Sequence, residues 1–330
     1  MRSIEERSAF QYRRTAPAMC VFVDFVSSYH VLLSVSIFFV LPHSTYGIVQ
    51  AKPLRSISTK SISPVAPIAT PTPNSASKRL PWAASVDPSK KLSYMPMFLE
   101  QLELIKSMGM TQVPVEDEFV CQTSTAKPAR IGSLQFQNEH FRKVRMTYFD
   151  AGDNVQVFNT LWYPSYEYDL PLLGVDLISL GKSRVLSVID MQPLHPSNEY
   201  SDKYISQLSP IKAKYPDLHG ILSGKIYDDT SFFSKNMLFG RFTDESKLDN
   251  VVLPSFKDYL QKYVSMMDNA VPDTSEEAMA VVKSRQQQYD TYSAQKDPAV
   301  GLFDSYFGKT WSESYVHDFL FEMSPRPSHD

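Results

Sequence analysis

The pattern of apolar and polar positions predicts helices on either side of a central region of strands. The segments MPMFLEQLELIKSMGM (95–110) and SFKDYLQKYVSMM (255–267) each carry one apolar stripe at helical spacing. Thr274 with Glu277 has the pattern of a capping box, which predicts a further helix that runs towards Tyr292. The region between these helices follows a different period.

Short segments in the middle of the chain have strand character. HFRKVRMTYF (140–149) alternates apolar with polar residues, DAGDN (150–154) has turn composition, and VQVFNTLWY (155–163) returns as a second strand of a hairpin. Further strands are predicted at LLGVDLISL (172–180), RVLSVIDM (184–191) and NMLFGRF (236–242). Because the connections are short, antiparallel pairing is favoured, and the sequence predicts an α/β fold: a three-layer α/β/α sandwich around a central antiparallel sheet.

The first 86 residues have a different composition. Residues 31–41, VLLSVSIFFVL, form a short apolar run behind a basic stretch, as in a signal peptide, and residues 52–79 are rich in Ser, Thr and Pro, as in a transit peptide. We therefore expect residues 1–86 to be a bipartite presequence that directs the protein to the stroma of a plastid, and residues 87–330 to form a single domain. A secreted protein with a disordered Ser/Pro linker is the alternative.

Cysteine usage and charge narrow the possible environments and partners. Cys20 lies in the expected presequence, so Cys121 remains alone and no disulfide within the mature chain is expected, as in a reducing compartment. Without residues 1–86, which hold nine basic and three acidic residues, 24 Lys and Arg stand against 33 Asp and Glu. This balance argues against a nucleic-acid partner.

Common catalytic signatures are absent from the sequence. It contains no G-x-S-x-G, no G-x-G-x-x-G and no H-E-x-x-H motif. The tripeptide GKS at 181–183 resembles the end of a phosphate-binding loop, but that motif needs a glycine where Asp176 stands. Since the histidines are scattered and cysteine is scarce, we expect no metal site.

Asp176 is the unusual residue of the strand LLGVDLISL. Burial on an apolar face disfavours a charged carboxylate, so we expect a raised pKa and a carboxyl that holds a proton near neutral pH. Gly174 on the same face is expected to leave room for a flat ligand. A buried aspartate that is satisfied by backbone amides is the alternative interpretation.

Several segments together resemble a known family. These are VQVFNTLWYPSYEYDLPLLGVDLISL, VIDMQPL (188–194), and DPAVGLFDSYFG and YVHDFLF near the C-terminus. They resemble the ferredoxin-dependent bilin reductases, most strongly across residues 140–194 and 289–321. The resemblance implies an antiparallel sheet between two helical layers and an open-chain tetrapyrrole bound between the sheet and the C-terminal helices. It also implies electrons from ferredoxin, with no metal or flavin held by the protein itself, and we expect a monomer without a membrane span.

The resemblance implies roles for three residues. Asp176 matches the central proton-donating aspartate of the family. Asn159 matches the position that is histidine in members forming phycocyanobilin and asparagine in those forming phycoerythrobilin or phytochromobilin, and its amide is expected to orient the bilin. Asp297 matches a second essential aspartate of members that reduce the A-ring. Before Pro298, however, it also has the pattern of a helix N-cap, which would favour the ionised carboxylate.

The expected reaction is therefore reduction of the A-ring diene of 15,16-dihydrobiliverdin to phycoerythrobilin, with electrons and protons arriving alternately through a bilin radical. An upstream bilin reductase would then hand over the dihydrobiliverdin. Reduction of biliverdin to 15,16-dihydrobiliverdin is the alternative in the same class. A bilin carrier or chaperone without catalytic activity is the alternative in another class.

Basic residues are candidates for contacts with two anionic partners. The candidates for the bilin propionates are Arg145, Lys225 and Arg241. The candidates for docking of acidic ferredoxin are Lys182, Arg184, Lys212 and Lys214. Ordinary solvated surface charges are the alternative for each of them. The aromatic residues expected in the core rather than at the ligand are Tyr289, Tyr292, Phe303 and Phe307.

Overall fold

The structure, a computed structural model, describes residues 80–181, 184–221 and 232–327. The strands are β1 Thr111–Val113, β2 Cys121–Thr123, β3 Arg130–Gln137, β4 Phe141–Asp150, β5 Val155–Pro164, β6 Leu172–Leu180, β7 Arg184–Gln192 and β8 Leu238–Phe242. They form one antiparallel sheet in the order β1-β3-β4-β5-β6-β7-β8, with β2 paired to β3. Consecutive strands are neighbours from β3 to β7, as their short connections predicted, and β8 pairs with β7 after a longer connection.

Helices cover both faces of this sheet. The α-helices are α1 Met95–Ser107, α2 Asp117–Val120, α3 Asn198–Lys203, α4 Ser209–Lys214, α5 Leu253–Asp268, α6 Glu276–Lys296, α7 Ala299–Phe307 and α8 Lys309–Ser314. Segments 205–208 and 216–218 are 3₁₀-helical, and segments 248–252 and 315–320 are π-helical. No helix in the described ranges is long and apolar enough to span a bilayer.

Two hydrophobic clusters lie on opposite faces of the sheet. On one face, Phe98 of α1 and Phe256 of α5 pack against Phe158 of β5. On the other face, the C-terminal helices α7 and α8 and the π-helical segment pack against residues such as Phe149 and Leu161. The predicted three-layer α/β/α sandwich is confirmed.

The predicted hairpin is also confirmed, and its turn explains one glycine. Between β4 and β5, Gly152 has φ +61°, a left-handed conformation that favours glycine. The helix after residue 274 differs in detail from the prediction. Its N-cap is Ser275, which accepts a hydrogen bond from the backbone N–H of Ala278 at 3.4 Å, so the cap lies one residue after Thr274.

Residues 80–86, which precede the expected domain boundary at residue 87, pack against the folded domain. Trp82 stacks on Phe98 of α1, with the ring centroids 5.2 Å apart. Pro81 packs so closely on β3 that a Cβ added at Gly132 would lie 2.6 Å from its Cδ. Residues 1–79 lie outside the described residues, so their role as a presequence stays a prediction.

A buried ion pair anchors the same N-terminal segment. The side chains of Arg130 and Asp150 lie 3.7 Å apart and are 1% and 0% exposed. Asp150 accepts hydrogen bonds from the backbone N–H of Val86 at 2.6 Å and from Ser85 Oγ at 3.1 Å, while Arg130 donates to the backbone oxygen of Ala84. These partners satisfy charges that would be costly to bury alone.

A chain that begins at residue 87 is therefore expected to be less stable than a chain that begins at residue 80. Truncation removes two donors from the buried Asp150 carboxylate, and each hydrogen bond to a charged group contributes about 1.5–3 kcal/mol. We expect the free energy of unfolding in urea to fall by at least about 3 kcal/mol. Equal unfolding midpoints for the two chains would show that the segment is dispensable.

Candidate active site

Three neighbouring strands place a row of polar side chains on the face that the C-terminal helices cover. Asn159 of β5 lies directly opposite Asp176 of β6 in the strand register, and Thr147 of β4 lies directly opposite Asn159. Residues paired in this way point to the same side of a sheet. Arg145, two positions before Thr147, shares that side.

A chain of hydrogen bonds connects this row. Arg145 Nη1 donates to Asn159 Oδ1, and Asn159 Nδ2 donates to Asp176 Oδ1 and, at 3.3 Å, to the backbone oxygen of Val175. Because the guanidinium can only donate, the amide oxygen of Asn159 must face Arg145 and its nitrogen must face Asp176. The orientation of the Asn159 amide is thereby fixed.

Arg145 is buried, not exposed, which changes the interpretation of its charge. It is only 2% exposed, and its Cζ lies 5.4 Å from the centre of the Phe321 ring. The sequence had suggested either a solvated surface charge or a partner for a bilin propionate. The structure places the guanidinium in the floor of a cleft, so it is not a solvated surface charge.

The cleft lies between this polar row and the C-terminal helices. It holds about 460 Å³ of space between protein atoms, part of it open to solvent. Its lining residues are Arg145, Asn159, Thr160, Leu161, Gly174, Val175, Asp176, Gln192, Phe232, Phe233, Tyr289, Tyr292, Ser293, Asp297 and Phe321. The structure thus brings together Asp176, Asn159, Arg145 and Asp297, four of the site residues that the sequence predicted.

Gly174 lines the cleft, and its missing side chain also makes room for Gln192. A Cβ at this position would lie 2.7 Å from Gln192 Oε1. Gln192 Oε1 in turn accepts a hydrogen bond from Tyr289 Oη at 2.5 Å. The glycine therefore allows β7 and α6 to be joined across one wall of the cleft.

Burial raises the pKa of Asp176, as expected from its strand position. The hydrogen bond from Asn159 and the positive charge of Arg145 oppose this rise but do not cancel it. Asp176 is half-buried and faces the cleft, so its carboxyl is accessible to a ligand. A protonated carboxyl in this position is suited to donate a proton.

Asp297 lies at the junction of α6 and α7. Its Oδ1 accepts a hydrogen bond from the backbone N–H of Ala299 at 2.8 Å, so it caps the start of α7 as the sequence predicted. Its pKa is nevertheless raised to about 6, first by burial and then by the negative charge of Asp176, and the bond from Ala299 only partly offsets this. The helix cap therefore favours the ionised carboxylate, as the sequence predicted, but burial and the charge of Asp176 have the larger effect on its pKa.

Aromatic residues line the side of the cleft that faces its polar floor. The ring of Phe232 lies 5.2 Å from that of Tyr289 and 5.3 Å from that of Tyr292. The segment that carries Phe232 is held by Ser234, whose Oγ and N–H donate to the buried carboxylate of Asp190 at 2.5 and 2.7 Å. Tyr289 lies in the hydrophobic core, as its helical spacing predicted, and it also lines the cleft together with Tyr292.

Phe321 follows the π-helical segment and is fixed from two sides. Lys143 Nζ donates to the backbone oxygen of Phe319 at 2.6 Å and pairs with Glu322 at 2.8 Å. The backbone N–H of Met323 donates to the carboxylate of Asp290 at 3.1 Å. No role was predicted for Phe321 from the sequence, although YVHDFLF was among the segments that resembled the family.

The remaining basic candidates do not meet in the cleft. Arg241 is exposed on β8 and lies over the ring of Phe239, with its Cζ 5.2 Å from the ring centre. It is absent from the cleft lining, so the structure gives no support to a contact with the bilin propionates. Lys225 and Lys182 lie outside the described residues.

Two of the predicted ferredoxin-docking residues, Arg184 and Lys212, lie near opposite ends of β7. Arg184 opens β7, whereas Lys212 lies close enough to Asp190, near the other end of β7, for their charges to interact. At about 3.3 Å per residue, these two positions are about 20 Å apart along the strand. Lys214 forms an ion pair with Asp258 at 3.0 Å. Across the described residues, no cluster of His, Cys, Asp and Glu has the arrangement of a metal site.

Comparisons with known proteins agree with this architecture. Residues 100–322 match the sequence profile of the family described as ferredoxin-dependent bilin reductase. The chain is 44% identical over 233 residues to the 15,16-dihydrobiliverdin:ferredoxin oxidoreductase of Nostoc punctiforme, covering 69% of this chain and 95% of the relative. It is 41% identical over 233 residues to the enzyme of the same name from Gloeobacter violaceus, with the same two coverages.

The fold also matches a solved structure. The phytochromobilin synthase of tomato, solved in complex with biliverdin, superposes with a TM-score of 0.61 at 22% identity, over 70% of this chain and 83% of that chain. At this identity the likeness concerns the fold, whereas the profile and the two cyanobacterial relatives concern the sequence itself. The chain belongs to the ferredoxin-dependent bilin reductases, a family of oxidoreductases.

Proposed function

We propose that the protein reduces biliverdin to 15,16-dihydrobiliverdin with electrons from ferredoxin. The observation that carries this proposal is the pair of carboxyls with raised pKa, Asp176 and Asp297, that face one cleft. The names of the two relatives support the choice of bond. In a name of the form donor:acceptor oxidoreductase the first compound is the reduced one, and here it is 15,16-dihydrobiliverdin.

Formation of 15,16-dihydrobiliverdin needs two electrons and two protons at one carbon–carbon double bond. Two reduced ferredoxins each give one electron and become oxidised, and two acidic groups of the protein give the protons. Asp176 is our candidate for one of them, because it faces the cleft and burial raises the pKa of its carboxyl. Asp297 is placed to give the other from the opposite side of the cleft.

Asn159 does not titrate, and its proposed role is to orient the bilin. Its amide nitrogen already donates to Asp176, and its oxygen is held by Arg145. A pyrrole or lactam group of a bilin above this floor would meet a fixed pattern of donors and acceptors. The aromatic rings of Phe232 and Phe321 would exclude water from the same space.

Reduction of 15,16-dihydrobiliverdin to phycoerythrobilin is the second candidate. It is favoured by Asp297, since the resemblance assigns a second essential aspartate to members that reduce the A-ring. This reaction also takes two electrons and two protons, so the same two carboxyls would serve it. Only the position of the bilin in the cleft would differ.

The two candidates are separated by the substrate that the enzyme consumes. The full chain is incubated without oxygen with reduced ferredoxin and either biliverdin or 15,16-dihydrobiliverdin, and the absorbance is followed. We expect biliverdin to lose its long-wavelength band and a band at shorter wavelength to grow, because saturation at the 15,16 bond shortens the conjugated system. Conversion of dihydrobiliverdin alone would replace this proposal with the A-ring reaction.

Asp176→Asn is expected to abolish turnover while bilin binding is kept. The substitution removes the acid but hardly changes the shape of the side chain, and loss of an acid catalyst lowers rates by about 10²–10⁴-fold. Binding is measured by absorbance titration and turnover with reduced ferredoxin, with the exposed Asp268→Asn as the matched control. Bilin binding and turnover that are both unchanged in Asp176→Asn would favour the bilin carrier, the alternative that the sequence left open.

Asp297 is expected to set a limb of the pH profile. Its carboxyl can donate only while protonated, and its pKa is about 6, so kcat/KM should fall as the pH rises through about 6. Asp297→Asn should lower kcat/KM and remove this limb. An unaltered profile in the variant would show that another group supplies the second proton.

A further inference from the structure

Arg145 is a buried cation without an anionic partner among the residues that the structure describes. Its single hydrogen bond there goes to the neutral amide of Asn159, and its Nε has no partner in those ranges. No carboxylate of the described residues lies within 4.0 Å of its guanidinium nitrogens. Lys143, buried on the same strand, differs because it pairs with Glu322 at 2.8 Å.

The groups that face Arg145 do not supply the missing negative charge when they are protonated. Burial favours the neutral carboxyl at both Asp176 and Asp297, and it also raises the pKa of Tyr289 and of Tyr315. Arginine itself keeps its proton at any working pH. With both carboxyls ready to donate, the floor of the cleft therefore carries a net positive charge.

A buried charge without a partner lowers the stability of the fold. Such a charge is therefore expected where it serves a ligand or a reaction. The reaction here brings negative charge, since each ferredoxin delivers an electron without a proton. Fixed charges that face the place where charge develops are among the largest contributions to catalysis. Arg145 lines the cleft and is held in place by Asn159 and by the ring of Phe321.

We propose, on the basis of the bilin reduction proposed above, that Arg145 is the fixed positive charge that stabilises the electron on the bound tetrapyrrole between the two transfers. Reduced ferredoxin gives one electron and is oxidised, and the bilin becomes a radical anion facing the guanidinium. A carboxylic acid of the cleft then gives its proton to this radical. A second electron and a second proton complete the reduction.

The test measures uptake of the first electron separately from turnover. The full chain with bound biliverdin is titrated without oxygen against a reductant of known potential, and the bilin radical is quantified by its electron paramagnetic resonance signal. For Arg145→Gln we expect the equilibrium constant for the first electron to fall at least tenfold, which equals about 59 mV for one electron. Arg145→Lys keeps the charge and should stay within about threefold of the wild type by the same conversion.

Lys106→Gln is the control, because it removes one positive charge from α1 on the opposite side of the sheet. It should leave the constant unchanged. An unchanged constant in Arg145→Gln with biliverdin bound would overturn the proposal. A loss as large in Arg145→Lys as in Arg145→Gln would also overturn it, because shape rather than charge would then be responsible.

A second variant covers the case in which Arg145→Gln does not fold. Asn159→Asp keeps Arg145 but sets a carboxylate against its guanidinium, so the constant should again fall at least tenfold at pH 8, and an unchanged constant would overturn the proposal.

The choice of substrate bond is tested separately by turnover of the wild type. If that protein converts dihydrobiliverdin and not biliverdin, the same titration is made with dihydrobiliverdin.

Discussion

The antiparallel register of β4, β5 and β6 is the constraint on which the rest of the site depends. One face of the sheet is committed to the apolar layer under α1 and α5, so side chains at alternate positions must point to the other face. The register then sets Asn159 directly opposite Asp176 and Thr147 directly opposite Asn159. A shift of one residue in any of these strands would turn the polar side chain of that strand towards the apolar layer.

The polar row lowers the stability of the fold, but it provides carboxyls with a raised pKa, which a reductase can use to donate protons. Burial raises the pKa of both cleft carboxyls, which means that their ionised forms destabilise the folded state. The stability lost here is balanced elsewhere, by the aromatic cluster around Trp311 and Tyr315 and by the anchored segment before α1. The packing around the site thus holds the two carboxyls in an electrostatically unfavourable environment.

Much of this architecture could be predicted from the sequence because its periods are regular. The β4–β5 hairpin, β6 and β7 follow from alternation and turn residues, and Asp176 stands out because a carboxylate breaks an apolar strand. The strand β3, Arg130–Gln137, was not predicted, since RIGSLQFQ mixes small and polar residues whose burial arises from the helices packed on them. The burial of Arg145 was also missed, because an alternating Lys, Arg and Thr pattern is usual for a solvated face and only the C-terminal helices cover it.

We expect the bilin to lie on the floor formed by Asn159 and Asp176, with Asp297 at its other side. A crystal structure of the full chain with biliverdin, grown without reductant, tests it most directly. We expect the tetrapyrrole in the cleft, with a pyrrole nitrogen, lactam oxygen or bridge carbon of the bilin in contact with Asp176 and another part of the molecule near Asp297. A bilin bound away from Asp176, with the floor unchanged and open to water, would contradict it.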